Sequence, residues 1–124
     1  MSDLLAIIKA FTDAIAVKDY DTAGSFMTET CEYTNIPLAS VTGPAGMRAV
    51  LEPFFAPTLE NEFVLIRTLV DGNRVCTERL DRHRLASGWV ELPVAGIFEF
   101  DGDKISVWRE YFDAATIVSK WPTA

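Results

Sequence analysis

The chain has 124 residues, 49% of them hydrophobic, with 8 Phe, 3 Trp and 3 Tyr; that is one domain of common size, residues 1–124, able to close a core and leave apolar wall for a cavity. Its formal net charge is -7, from 18 acidic and 11 basic residues, and the Lys and Arg are scattered, so nothing favours nucleic acid as a partner. No apolar run approaches the roughly 18 residues of a spanning helix, which argues against a membrane partner.

Leu4, Ile8, Phe11 and Ile15 fall at steps of four, three and four, so the first segment is expected to be a helix with one apolar stripe, with Ser2 as its N-cap. A second short helix is expected over 21–27, capped by Asp19 or Asp21, with Ala23, Phe26 and Met27 facing inward. Residues 31–36 then read as a short strand ended by Pro37, which has no amide hydrogen for a ladder. Gly43-Pro44 opens a third helix with Met47, Leu51 and Phe54 as its buried stripe, and Pro53 is expected to end or bend it.

The second half changes period. Residues 61–70, 74–85, 89–100 and 105–112 read as strands, separated by turn signals at Asp71-Gly72-Asn73, Ala86-Ser87-Gly88 and Asp101-Gly102-Asp103. A short helix is expected from Ala114. Helices followed by a strand meander argue α+β with a mainly antiparallel sheet. Along 89–100, Val90, Leu92, Val94, Gly96, Phe98 and Phe100 share one face. The other face holds Glu91, Pro93 and Glu99 but also Trp89 and Ile97, so a second cover is expected there, either a dimer partner or the C-terminal segment.

Cys31 and Cys76 show no metal or redox spacing and read as two buried free thiols of a reducing, cytoplasmic protein. The opening Met-Ser-Asp-Leu-Leu carries no basic leader. With one histidine, His83, and no CxxC, no zinc site is expected.

The strand 74–85 is the informative one. Arg79 and Asp81 are two apart, so their side chains share a face, with Thr77 and His83 on the same side. Trp108, Glu110 and Phe112 share a face of the last strand, and Tyr33 and Asn35 share one near the front. If these faces converge, they build a pocket with two carboxylates, one arginine, a phenol and an amide. Its apolar wall would be Leu92, Val94, Trp108, Phe112 and Phe54, the composition of a ligand site. Spacing alone also fits a second arrangement: Arg79 and Asp81 as a surface pair and Glu110 turned to water.

The segment Glu32-Tyr33-Thr34-Asn35-Ile36-Pro37-Leu38 resembles the Tyr-x-Asn-x-Pro segment of limonene-1,2-epoxide hydrolases. Thr77-Glu78-Arg79-Leu80-Asp81 is similar to their Arg-x-Asp strand, and Trp108-Arg109-Glu110-Tyr111-Phe112-Asp113 to their Trp-Arg-Asp-Tyr-Phe-Asp strand. The order and approximate spacing hold over most of the chain. The resemblance implies an α+β fold of the nuclear transport factor 2-like, ketosteroid-isomerase-like kind: a curved mixed sheet, mainly antiparallel, with N-terminal helices closing a cone-shaped pocket, as a homodimer. It implies a small apolar epoxide as partner, opened by water in one step, with no metal or cofactor. By position, Glu110 is the base, Asp81 the acid and Arg79 the bridge between them; Tyr33 and Asn35 hold the water. Leu92, Val94, Trp108, Phe112, Phe54 and His83 would then contact substrate.

Two departures stand out. The family base is Asp, and Glu110 is longer by a methylene; His83 stands where family members tend to be apolar, and reads either as a third titratable group in the pocket or as a residue at its rim. A ketosteroid-isomerase chemistry would want a Tyr in the first helix, which has none. A polyketide or polyether cyclase on the same fold, or a non-catalytic binding protein that Glu110 would permit, are the remaining readings.

Overall fold

The computed structural model describes residues 3–122. Helix α1 (Leu4–Ala16) buries Ile8, Phe11 and Ile15, as the stripe predicts. Its cap is Asp3, whose carboxylate accepts from the amides of Leu5 and Ala6; Ser2 lies outside the described residues. Helix α2 (Tyr20–Gly24) is capped by Asp19, which accepts from the Thr22 amide at 3.1 Å. It is shorter than expected. Met27 is not its last turn but the first residue of strand β1 (Met27–Ile36), where it is buried.

A two-residue strand, β2 (Val41–Thr42), precedes helix α3 (Gly43–Phe55), with Pro44 in its first turn. Gly43 has φ +70, and a Cβ there would stand within 2.4 Å of the Glu29 carbonyl oxygen, so only glycine fits. The buried stripe of α3 is Met47, Leu51 and Phe55, at i, i+4 and i+8; Phe54 is only half-buried, a one-position correction. Pro53 is accommodated inside the helix, which ends two residues later.

Strands β3 (Glu60–Asp71), β4 (Arg74–Leu85), β5 (Gly88–Asp101) and β6 (Lys104–Phe112) form the meander, and helix α4 (Ala114–Lys120) closes the chain. The curved, unclosed sheet has the order β2-β1-β6-β5-β4-β3. Every pairing is antiparallel except β1 with β6, the first long strand beside the last. That parallel pair makes the sheet mixed, and it places Tyr33 opposite Trp108 and Asn35 opposite Glu110.

The inner face of β5 is buried throughout, at Val90, Leu92, Val94, Gly96, Phe98 and Phe100. Phe11 of α1 packs edge-on to Phe98 and Trp108, at 6.4 and 4.9 Å between ring centroids. Alternation fixes the fate of the two thiols. Cys31 is buried, and that burial raises its pKa to about 12. Cys76 falls between the inward Val75 and Thr77 and is exposed, contrary to expectation. The C-terminal segment does not cover the outer sheet face. Helix α4 instead lies at the mouth of the inner cavity, and Leu69, Trp89 and Tyr111 on the strands remain exposed. No helix among the described residues is long and apolar enough to cross a membrane.

Candidate active site

Between the inner sheet face and helices α1, α3 and α4 lies a cavity of about 320 Å³. Most of its wall is apolar: Leu92 and Val94 from β5, Trp108 and Phe112 from β6, Leu51, Phe54 and Phe55 from α3. Tyr33, Asn35, Asp81, His83 and Glu110 also line it. A greasy chamber with a few convergent polar groups suits a small molecule that is mostly hydrocarbon.

Arg79 sits behind this wall with 2% of its surface exposed. Its Nε and Nη2 each donate to Asp81 at 2.9 Å, to Oδ1 and Oδ2 respectively. Its Nη1 and Nη2 donate to Glu110 at 3.2 and 2.5 Å. Four of the five guanidinium N–H groups are therefore spent on two carboxylates held on either side. This geometry follows from register. Arg79 and Asp81 are neighbours on one face of β4, opposite Val94 and Leu92 on β5, while Gly96 of β5 pairs with Thr77 on β4 and with Glu110 on β6. Gly96 has no side chain to separate β4 from β6, and a Cβ there would stand 2.6 Å from Glu110 Oε2 and 2.9 Å from both Arg79 Nη1 and Thr77 Oγ1.

The triad is two negative charges and one positive in a dry place, which is costly unless the charges are paired or one is neutralised. Burial raises the Glu110 pKa to about 7, against the pull of Arg79. Burial alone would lower the Arg79 pKa, but Glu110 and Asp81 outweigh it, so the guanidinium keeps its proton. The two carboxyl groups share one cation and one apolar setting, so carrying a full negative charge on both at once is costly.

Beside Glu110, across the β1–β6 ladder, Asn35 Nδ2 donates to Tyr33 Oη at 2.8 Å. The Tyr33 ring stacks on Trp108, centroids 4.1 Å apart and planes at 11°, which fixes where the phenol oxygen points. Burial raises the Tyr33 pKa, and the Glu110 charge adds to this, so the phenol stays protonated. The group is thus a hydroxyl and an amide poised next to a carboxylate, able to hold a water.

His83 is not at the rim. It is 2% exposed and forms part of the inner wall, ringed by Phe55, Phe63 and Trp121. Burial lowers its pKa to about 4. All eleven residues singled out in the sequence line the cavity or, for Arg79, tie its two carboxylates together; Phe54 and Phe112 are half-buried within it. Sequence reasoning did not find the contribution of Phe63, nor that α4 supplies Ile117 and Val118 to the mouth. Nor did it single out Asn61, which bonds His83.

The chain matches the family model for the limonene-1,2-epoxide hydrolase catalytic domain over residues 3–123. The chain belongs to the limonene-1,2-epoxide hydrolase family. It is 32% identical over 107 residues to the epoxide hydrolase EphG of Mycobacterium tuberculosis (strain ATCC 25618 / H37Rv), covering 86% of this chain and 70% of that protein. It is also similar to the solved structure of an M. tuberculosis epoxide hydrolase of this type, at 27% identity and a TM-score of 0.79, covering 94% of this chain and 86% of the other. A SnoaL-like polyketide cyclase structure from Shewanella putrefaciens CN-32 superposes with a TM-score of 0.85 over 97% of this chain and 96% of its own, at 16% identity. That likeness is one of fold, and the curved sheet with helices over one face is the architecture the limonene-1,2-epoxide hydrolase family shares with it.

Proposed function

We propose that this protein hydrolyses an apolar cyclic, terpenoid or aryl epoxide to a vicinal diol, in one step and without a covalent intermediate. The observation that carries the reading is the buried Asp81–Arg79–Glu110 bridge at the wall of an apolar cavity.

Opening an epoxide with water requires a nucleophile at carbon and a proton on the departing oxygen in the same event. Tyr33 and Asn35 hold the water beside Glu110, which takes its proton as oxygen attacks carbon. Asp81 delivers its own proton to the epoxide oxygen as the C–O bond breaks. Glu110 is assigned the base because Asn35 is its ladder partner, which puts the water on that side of the triad. Before the step the pair holds one proton on Asp81, and after it one proton on Glu110. Arg79, bonded to both, balances the same net charge throughout, and the proton passes from Glu110 back to Asp81 by exchange with water before the next turnover. Each acid–base role is worth about 10²–10⁴ in rate. Leu92, Val94, Trp108, Phe112, Phe54 and His83 are the substrate contacts in this reading, and the pocket needs no metal or cofactor for the step.

The test is incubation with cyclic and aryl epoxides in ¹⁸O-labelled water under single-turnover conditions. Diol carrying the label from the first turnover supports direct attack by water. Diol unlabelled in the first turnover means that an enzyme carboxylate attacked instead. Asp81→Asn and Glu110→Gln are each expected to abolish turnover with the fold retained, and full activity in either would overturn the assigned roles. If no epoxide is opened but apolar ligands raise the melting temperature, the protein is a binding module.

A further inference from the structure

The proton on His83 is placed by a chain of hydrogen bonds outside the triad. The Thr58 hydroxyl donates to the Phe55 carbonyl at 2.7 Å, so its oxygen is left to accept. Asn61 Nδ2 donates to that oxygen at 2.9 Å and to the Ala16 carbonyl at 3.4 Å. The amide is thereby oriented with Oδ1 toward His83 Nδ1, 2.8 Å away. A carbonyl oxygen only accepts, so Nδ1 carries the hydrogen. Nε2 is then a bare lone pair.

Nε2 has no hydrogen-bond partner among the described residues. Nor is it one of the sealed polar atoms lacking a partner, which among the described residues are Thr28 Oγ1 and Trp108 Nε1. His83 lines the cavity, so Nε2 opens onto it. Around the ring stand Phe55 from α3, Phe63 and Asn61 from β3, Trp121 from the C-terminal segment, and Asp81 and Arg79 on its own strand. Burial among these rings keeps the imidazole uncharged at neutral pH. A neutral acceptor opening onto a mostly apolar cavity is left unsatisfied by a hydrocarbon ligand.

We propose that His83 Nε2 is a specificity subsite for a hydroxyl group, so that the substrate class is an epoxy-alcohol rather than a pure hydrocarbon epoxide. Resting on the epoxide reading above, it also sets the spacing. His83 is two residues beyond Asp81 on the same strand face, roughly 7 Å away. The hydroxyl therefore sits on the far side of the molecule from the epoxide oxygen that Asp81 protonates, not on the neighbouring carbon.

Two measurements test it. The chain has one histidine, so ¹⁵N NMR of the ring reads His83 alone in an untagged protein. Nδ1 is expected protonated and Nε2 bare, with the Nε2 signal moving when α-terpineol, an alcohol with no epoxide, is added. A protonated Nε2, or one unmoved by the alcohol, overturns the proposal. The second compares kcat/KM for 4-isopropyl-1-methylcyclohexene 1,2-epoxide and its analogue hydroxylated on the isopropyl carbon. The wild type should prefer the alcohol by several-fold to about tenfold, the worth of one neutral hydrogen bond, and His83→Phe should lose that ratio. A wild type that favours the hydrocarbon, or an unchanged ratio in the variant, overturns it. If neither epoxide is opened, yet the alcohol moves the Nε2 signal, the subsite stands and the hydrolase reading falls.

Discussion

Gly96 lies against the Glu110 carboxylate, close enough that a Cβ at position 96 would stand 2.6 Å from Glu110 Oε2. Contacts below 3.0 Å force something to move, and here the neighbours are the bridge itself. Gly96→Ala is therefore expected to push Glu110 away from Arg79 and lower kcat/KM by roughly 10²-fold, the usual cost of an ångström of misplacement. Steady-state kinetics alongside a thermal melt check this; a variant that folds and turns over normally would show that the close approach has no catalytic purpose.

The length of Glu110 is matched to the same gap. Its two oxygens reach Nη2 and Nη1 of Arg79 at 2.5 and 3.2 Å. Glu110→Asp withdraws the carboxylate by about 1 Å, so at least one bond should be lost and turnover should fall by roughly 10²-fold. Equal or higher activity in the shorter variant would mean that the site is not rebuilt around the longer arm.

The pH profile follows from the shared proton. Catalysis needs one proton on the Asp81–Glu110 pair, and burial raises the Glu110 pKa to about 7. Above this, kcat/KM is expected to fall about tenfold per pH unit, because no acid remains to protonate the epoxide oxygen. A rate that keeps climbing through pH 8 would contradict the single-proton state.

Stability against pH should show two opposed slopes. Glu110 has its pKa raised from 4.5 to about 7, so its contribution is complete below 4.5 and lost as pH rises through 7. His83 has its pKa lowered from 6.5 to about 4, so its contribution is complete above 6.5 and lost as pH falls through 4. Between 4.5 and 6.5 the two oppose each other, each by up to about 1.4 kcal/mol per pH unit. Over that window, acidification should lower the melting temperature of Glu110→Gln and raise that of His83→Phe. Identical pH slopes in the two variants would refute the pairing.

Strand β4 was legible to the residue, and β3, β5 and β6 to within one residue at each end, because period-2 burial and the turn signals agree there. The grouping of Arg79 with Asp81 followed from the same period. The start of β1 was not legible. Residues 27–31 carry no clear alternation, and the register with β6 shifts between Met27 and Glu32. The two-residue β2 is too short to leave a pattern. Sequence left His83 undecided between pocket and rim because its burial depends on Phe55, Phe63 and Trp121, which come from three other segments. Tertiary packing of that kind leaves no local trace. The choice of Phe55 over Phe54 in α3 turns on a rotation of one residue, about 100°, less than a stripe of three positions resolves.

The parallel pairing of β1 with β6 has a bearing on how the protein comes into being. Residues 33 and 35 wait some seventy-five positions of chain for residues 108 and 110 before they meet. Hairpins of the meander join nearby sequence, whereas this junction must close a long loop, at an entropic cost that they do not carry. A nascent or C-terminally clipped polypeptide would therefore hold half a water site on one side and an orphaned Arg79–Asp81 pair on the other, inert until its ends are stitched together.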